Sequence, residues 1–274
     1  MTRPPARSGW STFGATARGA LHVRTGLPNQ DAHEAAVTGS GGQVILAVAD
    51  GHGDPRCVRA DVGARLAVTA AADCSRSLLR SDVTAGVRDL VSRFAGTLVA
   101  DVVQTWRTAV DRHLSQQPWQ PAELALLDPG GSHRLAYGCT LLLAVATGNA
   151  VVLVQIGDGD ILLVRRDGAT SRPVTQLTPL VGGETLSLAA ADAVDCAAFR
   201  LIDIEDHLRL LILASDGYAN SFEAPDWERS IGADYARLLD EQGPARMAAS
   251  LPQWVQASAQ AAGDDVTVLV GVRC

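Results

Sequence analysis

Four aspartates stand beside glycines at the ends of apolar runs: Asp50-Gly51, Gly157-Asp158, Asp216-Gly217 and Gly263-Asp264. Asp and Gly are also the commonest turn residues, since Asp bonds its own backbone and Gly accepts positive φ, so one such corner alone carries little information. Four together carry more. Strand ends packed side by side would gather the carboxylates in one place. Without basic partners they would repel one another there, and their pKa values would rise. A divalent cation is the usual resolution. Oxygen donors with no set of His or Cys select hard ions, Mg²⁺ or Mn²⁺, over zinc.

The elements that must position these residues are legible as apolar runs. Gln43 to Ala49 stops abruptly at Asp50-Gly51-His52-Gly53, as a buried strand ending in a glycine turn does. Thr140 to Ala146, Ala150 to Ile156 and Ile161 to Arg165 follow as strands, joined by Gly-Asn and by Gly-Asp-Gly-Asp. Leu208 to Ala214 halts at Ser215-Asp216-Gly217, and Val266 to Val272 closes the chain. Helical spacing runs from Val58 through Thr69, and Asp82 to Leu114 reads as a long helix or helical pair capped by Ser81 or Asp82. Tyr235 to Leu239 and Ala245 to Ala261 are also read as helices. Gln116 to Arg134 reads as a loop or insertion, and Arg172 to Val194 as a mobile surface segment. Strands cluster in consecutive runs with helices grouped between them. That favours an α+β fold with antiparallel sheets over a doubly wound nucleotide fold. Residues 1–9 are expected to be a disordered lead and 10–274 a single domain.

Composition excludes several classes. The chain contains no lysine; all 23 of its basic residues are arginine. That removes a Walker A loop, a kinase catalytic lysine and a Schiff-base enzyme, each of which needs an ammonium. With a net charge of −7, no chain-wide basic field points to nucleic acid or an anionic membrane. The 47% hydrophobic content is enough for a sizeable core, yet no apolar run reaches the roughly 18 residues of a membrane helix. Five scattered cysteines without C-x-x-C fit a reducing cytoplasm rather than a zinc site or disulfide scaffold. A cytoplasmic monomer is the expectation.

Six ordered segments resemble the PPM/PP2C metal-dependent protein phosphatases, in particular their compact bacterial branch. They are Gly26-Leu27-Pro28-Asn29-Gln30-Asp31-Ala32, Val48-Ala49-Asp50-Gly51-His52-Gly53, Gly138-Cys139-Thr140, Ile156-Gly157-Asp158-Gly159, Ala214-Ser215-Asp216-Gly217-Tyr218 and Gly263-Asp264-Asp265-Val266-Thr267. The resemblance implies an α-β-β-α sandwich of two antiparallel sheets with two Mn²⁺ or Mg²⁺ ions at one edge. It implies that Asp50 bridges the ions, that the Gly51 carbonyl binds one, and that Asp216 and Asp264 complete the other. Asp31 would hold metal-bound waters, and Asp158 would contribute to a third, weaker ion. Water between the two ions, its pKa lowered from about 16 toward neutrality, would then hydrolyse phosphoserine or phosphothreonine in proteins. His52 matches the position proposed to protonate the leaving oxygen, and a histidine near 6.5 suits that task. The partners implied are phosphorylated proteins, with a serine/threonine kinase and its targets.

The match departs from the family in four places. Gln30-Asp31 stands where an acidic pair is usual. No arginine aligns with the phosphate-gripping one; Arg24, six positions before Gln30, is the substitute candidate, and a solvated edge arginine is the alternative. Gly157-Asp158-Gly159-Asp160 replaces Gly-Asp-Ser-Arg, so Asp160 adds either a metal contact or a surface charge. Arg172 to Val194 stands in place of the family's flap. Asp265 would take the ligand role of Asp264 if the register slipped by one, and His22 and His33 are read as packing or surface residues. Two other readings stay open: a catalytically weak phosphoprotein-binding module on the same fold, motivated by Gln30, and an unrelated carboxylate metal-binding protein.

Overall fold

The computed structural model describes residues 9–39, 42–81, 87–174, 185–204 and 207–274. Its strands in chain order are β1 (Trp10–Ala17), β2 (Ala32–Thr38), β3 (Gln43–Ala49), β4 (Leu141–Ala146), β5 (Ala150–Ile156), β6 (Asp160–Arg165), β7 (Thr170–Ser171), β8 (Ala198–Asp203), β9 (Leu208–Ala214) and β10 (Val266–Arg273). The helices are α1 (Ala20–Thr25), α2 (Ala60–Ser81), α3 (Val87–Gln116), α4 (Pro121–Leu124), α5 (Ala193–Cys196), α6 (Asp216–Ala219) and α7 (Trp227–Ala262). Two five-stranded sheets form, in the orders β1-β10-β9-β6-β7 and β2-β3-β4-β5-β8. Every pairing is antiparallel. The expected α+β sandwich is what the chain adopts.

Both faces of the central strands are buried, which is why they read as unbroken apolar runs rather than alternating ones. Along β3, Ile45, Ala47 and Ala49 turn toward the α2–α3 layer. Val44, Leu46 and Val48 turn the other way, onto Leu211, Leu213 and Leu269 of the facing sheet. On the far side, Val266, Val268, Val270 and Val272 of β10 meet Met247, Leu251, Val255 and Ala259 of α7. Burying each such Leu, Ile or Val stabilises the fold by roughly 1.5–3 kcal/mol. Alanines 64, 67 and 71 pack α2 into the core, and Trp106 Nε1 of α3 donates to the Gly63 carbonyl of α2 at 3.0 Å.

Two expectations need correction. Ser81 lies within α2 rather than ahead of a helix, while Asp82 and the expected start of the next helix lie outside the described residues. The two helices expected near the C-terminus are present as the halves of α7, which breaks at Gly243 (φ 75°) with Pro244 starting the second half, where a missing N–H costs nothing. The segment Arg172 to Val194, expected as a mobile surface segment, does not lie on the surface throughout. Residues 175–184 lie outside the described ones, but Leu188 is fully buried and its N–H donates to the Cys139 carbonyl at 2.9 Å. It was unreadable because its apolar side chains enter the core singly, without a period. Of the expected N-terminal lead, residues 1–8 lie outside the described residues. The Gln116 to Arg134 insertion holds only short helices and is clamped by Arg59, whose guanidinium makes a bidentate contact to Glu123 (2.6 and 2.7 Å).

Antiparallel order then decides where the acidic residues go. β1, β3, β5 and β9 end at the same edge of the sandwich where β2, β4, β6 and β10 begin, as the pairs Ala32↔Ala49, Leu141↔Ile156, Asp160↔Ala214 and Ala17↔Val266 record. Asp31, Asp50, Asp158, Asp216 and Asp264 all lie in the corners at that edge.

Candidate metal centre

The edge opens as a cleft of about 520 Å³, whose lining includes Asp50, Gly51, His52, Asp158, Asp216 and Asp264. Asp50 leaves β3 with its backbone held on both sides: its N–H donates to Thr140 Oγ1 (3.0 Å) and its carbonyl accepts from the Thr140 N–H (2.8 Å). Gly51 N–H donates to the Gln30 carbonyl (3.1 Å). A Cβ on Gly51 would stand 2.8 Å from Ala60 Cβ, so only glycine lets the turn press against the start of α2. The role of the Gly138-Cys139-Thr140 segment is therefore to brace the Asp50 turn.

Asp31 lies behind Asp50 and is buried. Ser215 Oγ donates to its Oδ2 at 2.7 Å, and that hydroxyl in turn accepts the Thr267 N–H at 2.9 Å. Its Oδ1 is buried with no partner. Burial, with Asp265 nearby, pushes the Asp31 carboxyl up to about 7 even though the Ser215 and Thr267 hydroxyls oppose the rise. Asp50 is held well above the carboxylate range by burial first, then by the charges of Asp31, Asp216 and Asp264. Asp216, at the first turn of α6, is raised by burial and by Asp158 and Asp264, and shares a hydrogen bond with Asp50. Asp158 is exposed and accepts from Thr185 Oγ1 at 2.8 Å, so the segment after β7 returns to the cleft at that point.

The ambiguity between Asp264 and Asp265 resolves by orientation. Asp264 faces the cleft. Asp265 turns inward, accepting from Gly19 N–H (2.7 Å) and Gln30 N–H (2.6 Å) and bonding His22 Nδ1 (2.9 Å). His22 is thus the buried partner of Asp265, and its expected packing role is met by an ionisable one. Reading the chain alone missed this hub, since its partners lie more than 230 positions apart, although the doubled Asp264-Asp265 was a visible signal. Gln155 was also missed; its Nε2 holds the Asp158 loop through the carbonyls of Gly157 (3.0 Å) and Gly159 (2.7 Å). Asp160 is buried and ion-paired with Arg172 at 2.9 Å, so neither the metal contact nor the surface charge entertained for it describes it.

His52 is partly buried on the cleft wall, with Nε2 unpartnered; burial lowers its pKa, and Asp158 and Asp54 oppose that. Arg24 reaches the cleft from α1, exposed and, among the described residues, without an ion-pair partner. Gln30 lines the cleft with a buried, unpartnered Oε1.

Does this arrangement suit a hard divalent cation? Carboxylates with raised pKa values and an orphaned buried oxygen are what a cation would relieve. Among the described residues, no three His, Cys, Asp or Glu side chains form a finished ligand set for one ion. Carboxylates that hold ions jointly with a backbone carbonyl and water, as Mg²⁺ keeps water readily, remain compatible with that spacing.

The comparisons agree on the fold. The structure is similar to the catalytic domain of the serine threonine protein phosphatase PstP in complex with two manganese ions: 18% identity, TM-score 0.58, covering 97% of this chain and 99% of that one. It is similar to PppA, a key regulatory component of T6SS in Pseudomonas aeruginosa, at 18% identity and TM-score 0.61, with 97% and 99% covered. Serine/threonine phosphatase Stp1 from Staphylococcus aureus aligns at 14% identity and TM-score 0.59, with 99% of both chains covered. No curated protein sequence matches. The family model described as Protein phosphatase 2C matches residues 18–256, a span that carries the Asp31, Asp50, Asp158 and Asp216 corners, and the chain belongs to that family.

Proposed function

We propose that this chain is a metal-dependent phosphatase of phosphoserine and phosphothreonine in proteins. The observation that carries the reading is the convergence of Asp50, Asp158, Asp216 and Asp264 on one cleft with raised carboxyl pKa values at Asp50 and Asp216. The structural neighbour PstP, which holds two manganese ions, supports the choice of Mn²⁺ or Mg²⁺. Asp50, Asp216, Asp264 and the Gly51 carbonyl would hold two ions, with Asp158 contributing to a third. When bound, the ions supply charge neutralisation of the phosphoryl group and an acidified water.

The chain's own residues do the rest. Asp31, held by Ser215 and with its Oδ1 buried and unpartnered, would orient water beside Asp50. Arg24 would bind the phosphoryl oxygens from the opposite wall. The His52 imidazole would deliver a proton to the departing seryl or threonyl oxygen; a lowered pKa makes the imidazolium a stronger acid. Gln30 supplies an amide rather than a charge, which leaves orientation of the water to Asp31.

The test is hydrolysis of p-nitrophenyl phosphate and a phosphothreonine peptide with Mn²⁺, with and without EDTA, in the wild type and in Asp216→Asn. Turnover that requires Mn²⁺ and falls at least 10²-fold in the variant is expected. Metal-independent turnover, or full activity in Asp216→Asn, overturns the reading; metal binding without turnover would make the chain a phosphoprotein-binding module.

A further inference from the structure

Seven large apolar residues are exposed among the described residues, and three of them, Leu21, Val23 and Leu27, fall in one seven-residue stretch. Two of these, Leu21 (50% exposed) and Leu27 (42%), line the metal-centre cleft together with Arg24 and Thr25. Helical spacing explains the pattern: Leu21, Arg24 and Thr25 stand at i, i+3 and i+4 and so share a face of α1. His22 lies on another face and anchors the helix to Asp265.

That anchoring makes α1 a fixed wall. Leu21 N–H donates to the Gly263 carbonyl at 2.8 Å, and Arg18 holds the Leu27 carbonyl at 3.2 Å. A Cβ on Gly19 would lie 2.3 Å from the Asp264 carbonyl carbon, so the start of α1 is pressed directly onto the residue that faces the cleft. Leu21, Arg24 and Leu27 therefore keep a set position relative to Asp264.

We infer that α1 and the turn after it read the polypeptide beside the phosphorylated residue: Leu21 and Leu27, before and after Arg24 in the chain, form an apolar subsite for a large aliphatic or aromatic side chain adjacent to the phosphoserine or phosphothreonine. The inference rests on the phosphatase reading and adds a substrate class to it. The layout fits such a segment by charge and by polarity. Arg24 is the one arginine among the described residues that line the cleft and matches a phosphate, while Leu21 and Leu27 beside it are left exposed. Asp50, Asp158, Asp216 and Asp264 also line the cleft, and among the described lining residues an acidic flank finds no second arginine. A small phosphorylated metabolite would leave both leucines in water.

The experiment compares kcat/KM, with Mn²⁺, for three phosphothreonine peptides that differ only in carrying Leu, Gln or Asp next to the phosphorylated residue. The wild type should prefer the Leu peptide over the Gln peptide about tenfold. Leu21→Arg and Leu27→Arg, both surface changes, should each turn the ranking toward the Asp peptide, which a merely structural role would not do. Equal rates on the Leu and Gln peptides, or a wild-type ranking retained in both variants, overturns the inference. So does a wild-type dimer that Leu21→Arg dissolves in sedimentation, since the patch would then be an interface between copies. Wild-type hydrolysis of p-nitrophenyl phosphate separates the two levels. If it is absent the phosphatase reading fails, and fluorescence anisotropy of the same labelled peptides still tests the ranking.

Discussion

Asp31→Asn should make the metal-free protein more stable at pH 8, although it removes a residue placed in the reaction. Burial holds the Asp31 carboxyl at about 7 against an ordinary 3.8. Ionising it in the folded state therefore costs about 4 kcal/mol relative to the unfolded chain. The folded carboxyl keeps its proton up to about pH 7 while the unfolded one loses it near 3.8. Stability from this group is thus fully present below about pH 4 and is lost as pH rises through 7. An Asn side chain carries no charge, and its carbonyl still accepts from Ser215 Oγ, but its amide hydrogens need partners, which costs about 1–3 kcal/mol. The net gain is about 2 kcal/mol, or about 4–8 °C in Tm for a chain of this size. Thermal unfolding in EDTA, followed by tryptophan fluorescence from pH 5 to 8, measures it. The variant should gain on the wild type as pH rises, the two should converge near pH 5, and saturating Mn²⁺ should stabilise the wild type more. A variant no more stable than the wild type at pH 8 in EDTA, or a wild type whose metal-free Tm climbs from pH 5 to 8, would refute the reasoning.

Gly51→Ala forces a methyl to within 2.8 Å of Ala60 Cβ, and overpacking of that kind should cost about 1–3 kcal/mol in urea unfolding, with Mn²⁺ affinity by calorimetry weakened about tenfold. Replacing His52 with alanine should lower kcat on a phosphothreonine peptide about 10²-fold, and much less on p-nitrophenyl phosphate, whose phenolate leaves without a proton. Asp265→Asn puts an amide where Gly19, Gln30 and His22 converge; urea unfolding should show a loss of about 3 kcal/mol, since one acceptor oxygen is gone and an N–H faces donors. An unchanged midpoint there would mean that the hub is not structural.

Strand legibility followed burial. β3, β4, β5, β9 and β10 are buried on both faces, so each stands out as an apolar run, and the four acidic corners could be found simply as the places where those runs stop. β1, β2 and β8 are sheet edges with mixed burial, and sequences such as Trp10–Ala17 and Ala32–Thr38 carry too little apolar content to announce a strand. Asp31 precedes one of these weak strands, so resemblance alone singled it out, whereas Asp50 and Asp216 were visible from the chain itself. His22, Ser215 and Gln155 were not visible as site residues, and Asp265 only as an alternative to Asp264, because their roles are set by contacts that exist only once both sheets have formed.

The distribution of arginine gives the strongest internal argument that the acidic edge exists for chemistry. A fold under selection for stability alone would seat cations among crowded carboxylates, because pairing relieves repulsion and offsets burial. This chain does so elsewhere: Arg59 pairs with Glu123 and holds its carboxyl below the usual range. At the cleft floor it does the reverse. Asp31, Asp50 and Asp216 are left with raised pKa values, and Arg24 reaches the lining from the rim. A cost of about 4 kcal/mol at Asp31 alone is what burying two or three core leucines contributes, so the doubly buried sheets can sustain it. The same comparison fixes what loss of the ions should do: with the core intact, the metal-free protein stays folded at neutral pH, and its instability is confined to the edge where the carboxylates meet.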